Sequence, residues 1–291
     1  MSSNFVDFSD TRTWPTLDSL AQGFDGKKAA TSYSVTGREI AFRNSYGSRV
    51  SHQFGTTTVD WSYEPGAGDP HATIAGTDDY EAFDIAEGLV YTQFHHRTDV
   101  PNTAVSLVLD FEYGRSLAIV STIADRADGA PRVRQSFLWG RIEGLATRGP
   151  EPSPTTALLG RRVLWTYGDE HSYEHIYLGP HCYTWHCLTG PASGLADTDA
   201  CTTYQLRPGI SVFSSCAKAI ACASVAVVDH RELTSLRSYG AVFGLDETGA
   251  SQTHFTFGAT GELLSHTVHR ALPPHDSPAR TSTTQKGHTP C

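Results

Sequence analysis

The stretch Gly37-Arg38-Glu39-Ile40-Ala41-Phe42…Val59-Asp60-Trp61…Asp79-Tyr80-Glu81 decides the fold, because the chain carries it a second time. It returns, degraded, as Gly160-Arg161-Arg162-Val163-Leu164-Trp165…Tyr183-Thr184-Trp185…Thr203-Tyr204-Gln205. The glycines lie 160 − 37 = 123 positions apart and the tryptophans 185 − 61 = 124. The tyrosines lie 204 − 80 = 124 apart, so Trp to Tyr is 19 positions in each copy. A later pair of runs, Val105–Asp110 and Ser224–Asp229, is offset by 229 − 110 = 119. An internal duplication of this kind makes each half of the chain a unit built on one plan. In this alignment Glu81 stands opposite Gln205, and the loops before them, 68–79 and 190–203, differ throughout. Function is expected where the copies disagree.

A chain of 291 residues has room for two such units. Apolar residues at 39% and charged residues at 18%, with many Gly and aromatic side chains, describe a globular protein that favours strands. A net charge of −9 argues against nucleic acid as a partner, since counterion displacement needs a basic surface. The first thirty residues carry Asp7, Asp10, Arg12 and Asp18 and no apolar core, unlike a signal peptide. The longest weakly apolar run, Ala217–Val228, is too short to span a bilayer and is broken by Lys218, so no membrane partner is expected. All six cysteines lie in the second half without a C-x-x-C pair, which implies reduced thiols and a cytoplasmic location.

Between its glycine turns the first copy alternates polar and apolar residues. Arg38–Arg43, Arg49–Phe54 and Thr57–Ser62 read as strands, and Pro65–Asp79 as a polar loop. Further strands are expected near Tyr80–Ile85, Leu89–His96, Ala104–Glu112, Ser116–Ile123 and Arg132–Gly140, with a turn at Asp125–Gly129. Sequential hairpins without a long helix predict an all-β chain of two tandem antiparallel β-barrels, 23–148 and 157–270. Thr16 or Asp18 caps a short helix in the N-terminal segment 1–22, suited to plugging a barrel end. Residues 149–156 form a linker whose three prolines cannot join a sheet interior. The tail 271–291 is expected to be disordered.

Histidine is abundant, but its spacing matches no zinc motif, so no metal is assigned. His95 and His96 point to opposite faces of an extended strand, and only one can line a lumen. Tyr173, His175 and Tyr177 share a face that would suit a planar ligand. There is no G-x-S-x-G, P-loop or G-x-G-x-x-G signature, so any chemistry is expected to need no cofactor.

Gly37–Phe42, Val59-Asp60-Trp61, Asp79-Tyr80-Glu81-Ala82-Phe83 and the strand ending in Asp110, with their weaker second copy, resemble the MoaF family. Proteins of that family look like two lipocalin-type (calycin) barrels in tandem, and the likeness covers roughly residues 20–270. The family's name links it to molybdenum cofactor biosynthesis, yet no pterin or molybdate site is visible here. By analogy of fold alone, small calycin-like barrels catalyse isomerisation, cyclisation or elimination without cofactors.

The expected function is therefore a cofactor-free cyclase, isomerase or lyase acting on a hydrophobic small molecule in a barrel lumen, in secondary metabolism. The alternative is a non-catalytic binder of the same ligand. Tyr80, Glu81, His95 and Asp110 are the catalytic candidates, with Glu81 or Asp110 as base. His52, Trp61, Tyr91, Tyr173, His175, Trp185 and Tyr204 are the ligand-binding candidates. The expected partner is that small molecule, and a homodimer is compatible with the reading.

Overall fold

The computed structural model describes residues 11, 14–97, 100, 102–124 and 131–268. The first half contains β1 (Glu39–Asn44), β2 (Arg49–Phe54), β3 (Thr58–Glu64), β4 (Ile74–Ala86), β5 (Leu89–His96), β6 (Thr103–Asp110), β7 (Arg115–Ile123) and β8 (Val133–Ile142). Each strand pairs with the next, and β8 returns to β1, which closes an antiparallel barrel. The second half contains β9 (Ser153–Pro154), β10 (Arg161–Gly168), β11 (His171–Gly179), β12 (Cys182–Thr189) and β13 (Ala196–Arg207). It continues with β14 (Ile210–Cys216), β15 (Cys222–Asp229), β16 (Leu236–Leu245) and β17 (Gln252–His266). Strands β10 to β17 close in the same way, through the β10–β17 and β12–β13 ladders, while β9 is a two-residue edge on β13. The linker prolines thus sit where no ladder donor is lost. The expected turn at Asp125–Gly129 and the tail 271–291 lie outside the described residues.

Alternation places one face of each strand inside. In β3, Val59 and Trp61 are buried while Asp60 is exposed. Strand β6 is buried at every position because it has two apolar faces to cover. Val105, Leu107 and Leu109 face the first barrel's interior, whereas Val108 faces the second barrel. The outer faces of β4–β7 meet those of β13–β16, with Phe83, Tyr91 and Ile119 packing near Leu206, Val212 and Val227. Burying each aliphatic side chain there contributes about 1.5–3 kcal/mol.

The ladders correct the alignment of the two copies. Trp61 pairs with Gly76 and Trp185 with Asp197, offsets of 185 − 61 = 124 and 197 − 76 = 121. The second copy is therefore three residues shorter between these strands. The counterpart of Asp78 is Asp199, that of Tyr80 is Cys201, and that of Phe83 is Tyr204. The equal Trp–Tyr spacing is a coincidence, and Glu81 stands opposite Thr202 rather than Gln205. Tyr80 points inward, in the first barrel's core, whereas Tyr204 points outward and stacks on Phe137 with centroids 4.7 Å apart.

The N-terminal helix α1 (Leu17–Ala21) is capped by Thr16, whose hydroxyl accepts from Ser19 N at 3.3 Å. It plugs the second barrel, not the first. Leu20 and Phe24 pack onto the second barrel's core, and Trp14 meets Trp185 edge-on at 5.7 Å. Gly23, at φ +84°, brings the chain so close to His171 that a Cβ would lie 2.5 Å from its ring.

Candidate functional site

Strand polarity makes the mouth of the first barrel the end bearing the β1–β2, β3–β4 and β5–β6 loops. Behind that mouth is a chamber of about 910 Å³, walled by Phe42, Val50, Trp61, Phe94, Leu107 and Leu138 among others. The opposite end is closed by Val35, by Phe54, and by Tyr80, whose hydroxyl donates to the Gly55 carbonyl at 2.9 Å. The volume lies within the range that small-molecule sites occupy.

A buried ionisable pair backs this wall, with His96 lining the chamber and Asp78 behind it. Asp78 Oδ2 accepts from Trp61 Nε1 at 2.8 Å and lies 2.7 Å from His96 Nδ1, while Oδ1 accepts from the Arg97 amide at 3.3 Å. Asp78 is 5% exposed and His96 7%. A carboxylate only accepts, so Nδ1 of a neutral His96 carries its proton and Nε2 keeps the lone pair. The Trp61 ring packs on His96 with centroids 4.2 Å apart and fixes its tilt. An imidazole oriented by a carboxylate, beside an apolar chamber, is equipped to move a proton.

His52 lies on the same wall, between Phe42 and Phe54, each ring nearly parallel to it at 5.7 Å. Burial pushes its pKa down to about 4, with the neighbouring His96 adding to the effect, so it is neutral at physiological pH. At the mouth, Asp69 accepts from Ser48 Oγ at 2.6 Å, from the Tyr63 hydroxyl, and from the His71 amide at 3.0 Å. These donors hold the Asp69 carboxyl well below the usual range and pin the β3–β4 loop against the β1–β2 turn and β3.

The candidate residues divide by strand parity. His52 and Trp61 line the chamber. Tyr80 belongs to its closed end. Glu81, Tyr91, His95 and Asp110 point away from the lumen, toward the second barrel, and so do not join His52 and Trp61 there. Glu81 binds Lys28 Nζ at 2.9 Å and the Thr256 hydroxyl. The Tyr91 hydroxyl bonds Gln93 and Ser106, each at 3.1 Å. His95 packs on His254 with centroids 4.6 Å apart. Asp110 receives Arg207 Nε at 2.9 Å and Nη2 at 2.7 Å, a bidentate pair joining the barrels. The lumen-facing member of the histidine doublet is His96. Asp78 and His96 were not singled out by the sequence, although parity held the signal: Asp78 is two residues from inward Tyr80, and His96 two from inward Phe94.

In the second barrel Tyr173, His175 and Trp185 also face inward, around a chamber of only about 150 Å³ beneath α1. Matched ladder positions explain the difference. Phe42 becomes Trp165, Val50 becomes Tyr173, Val59 becomes Tyr183 and Leu138 becomes Phe257, so larger rings occupy the lumen. Smaller replacements, such as Ser215 for Phe94, offset this only in part. Trp185 Nε1 still donates to Asp199 Oδ2 at 2.8 Å, and the Lys218 amide to Oδ1 at 3.1 Å. Ala217 occupies the position of His96. The frame of the pair is therefore kept in both barrels, and the imidazole is present in one.

Among the described residues no group of His, Cys, Asp and Glu is arranged to hold a metal ion. No described lysine or arginine lines either chamber. Among the described residues no helix is long and apolar enough to cross a membrane.

Fold and site together define a tandem up-and-down barrel protein with one spacious chamber. The MoaF N-terminal domain model matches residues 12–125, and the MoaF C-terminal domain model matches 152–267. Protein MoaF of Klebsiella aerogenes is 30% identical over 182 residues, which cover 58% of this chain and 68% of that protein. The chain belongs to the MoaF family.

Proposed function

We propose that the first barrel is a reaction chamber for a hydrophobic small molecule and that His96, held by Asp78, transfers a proton to or from it. The class is isomerisation, cyclisation or elimination without a cofactor. The observation that carries this reading is the Asp78–His96 pair at 2.7 Å on the wall of a chamber of about 910 Å³. Holding a reactive conformer can supply about 7–11 kcal/mol of the barrier, and a positioned acid or base contributes typically 10²–10⁴-fold more.

The alternative is a binding protein in which Asp78 and His96 only orient the ligand. A ligand retained by the freshly purified protein, identified by native mass spectrometry, separates the two. In D₂O the enzyme reading expects deuterium to enter a carbon position of that ligand or of its product, and His96→Asn to slow this at least 100-fold. Binding without exchange, unchanged by His96→Asn, would favour the carrier.

A further inference from the structure

The proposal here rests on the chamber reading and concerns the chemical class of the ligand. His52 is 3% exposed and sits on a wall otherwise made of hydrocarbon and ring faces. Its Nδ1 is enclosed without a well-formed hydrogen bond, and the backbone carbonyl of its ladder partner Ile40 acts as an acceptor that raises the ring's pKa against the larger effect of burial. A carbonyl only accepts, so the neutral ring keeps its proton on that side, and the Nε2 edge left to face the chamber is a bare acceptor. A lone pair that meets only hydrocarbon gains a hydrogen bond when a ligand donor reaches it. A neutral His96 presents Nε2 in the same sense, because its Nδ1–H donates to Asp78. His52 and a neutral His96 are thus acceptors toward the chamber, and no described lysine or arginine lines it. The carboxylate at the mouth, Asp69, adds negative charge.

In the second barrel His175 has the same enclosed Nδ1, but a space of about 20 Å³ beside it, next to Ser215 and Ser238, accommodates a single water. The chamber around His52 is large enough for a ligand to take that place.

We infer that the first barrel selects an uncharged lipophile carrying a hydroxyl or N–H donor, seated on His52, and discriminates against carboxylates and phosphates. The donor group enters first and lodges against His52 between Phe42 and Phe54, while the remainder of the molecule extends past His96 toward the mouth.

Three fluorescent probes of one shape test this: pyrene, 1-pyrenemethanol and 1-pyrenecarboxylate, titrated into the whole protein near neutral pH. The alcohol is expected to bind about tenfold more tightly than pyrene, and the carboxylate about tenfold more weakly, as one hydrogen bond gained and one unpaired charge buried would give. His52→Phe keeps the ring stack and removes the acceptor. It should bring the alcohol and pyrene to within twofold of each other. His52→Gln keeps an acceptor and should retain part of the preference. A pyrene that binds without the alcohol being favoured, a carboxylate that binds as tightly as the alcohol, or a preference that survives His52→Phe would overturn the inference while leaving the chamber standing. Failure of all three probes to bind would remove the chamber reading, and this inference with it.

Discussion

The first barrel is hollow and the second is filled, although both follow one ladder diagram. The closed ends are built alike: Val35 and Leu158 are both buried, and the amides of Gly37 and Gly160 donate to Phe54 and Tyr177 respectively. The Trp–Asp bond is 2.8 Å in each. The divergence lies in the lumen and at the mouth. The first has space and an imidazole, whereas the second has larger rings, Ala217 in the place of the histidine and α1 across its opening. The filled copy also supplies half of the interface that covers the first barrel's outer face. The two units of a duplicated fold thus differ in how far their own side chains occupy the lumen.

Matched substitutions in the two barrels distinguish a packed lumen from an open one. The largest expected effect is from truncation: Trp165→Ala in the filled lumen should cost about 3–5 kcal/mol. Phe42→Ala, at the same ladder position beside the chamber, should cost clearly less, as denaturant unfolding would measure. Equal costs would mean that the two interiors are equally packed.

Acid comes next. The pKa of His52 is pushed down to about 4 by burial, and His230 is also lowered to about 4, chiefly by burial and then by Arg161. Groups held neutral in the fold but protonated when unfolded stabilise above the unfolded pKa of about 6.5. That stability is lost as pH falls from there toward 4. His52→Phe should flatten this acid limb by about 3 kcal/mol, measured as stability against pH. A limb of unchanged slope would mean that His52 is not held neutral.

Overpacking gives a smaller contrast at one shared position. Gly240 has the Phe257 ring 2.4 Å from where a Cβ would stand, so Gly240→Ala should cost about 1–3 kcal/mol. Its counterpart Ala118 borders the chamber, and Ala118→Leu should cost under about 1 kcal/mol there. The smallest effect tests where the copies should agree. Trp61→Phe and Trp185→Phe each remove one hydrogen bond to a buried carboxylate, and thermal unfolding should show similar losses of about 1–3 kcal/mol.

The duplicated barrels were legible because alternation and glycine turns recur along the chain at an almost constant offset. Strand β5 begins and ends where its pattern does, at Leu89 and His96. The site was harder to read. The equal Trp–Tyr spacing concealed a loop shortened by three residues, which misaligned Glu81 with Gln205. Glu81, Tyr91, His95 and Asp110 looked like lumen groups because a polar residue on an apolar strand suggests a buried function. The second face of those strands is buried against another barrel, which single-strand patterning does not reveal. His96 was recoverable from Phe94 by parity alone. The bond from Trp61 to Asp78 depends on a ladder register that the intervening loop hides.

The most direct test of the central claim is a crystal structure of the whole protein with 1-pyrenemethanol. One molecule per chain is expected inside the first barrel, its hydroxyl within hydrogen-bond distance of His52 and its ring system beside His96, with the second lumen unchanged. A probe lodged beneath α1 in the second barrel, with the first chamber left without it, would contradict the claim.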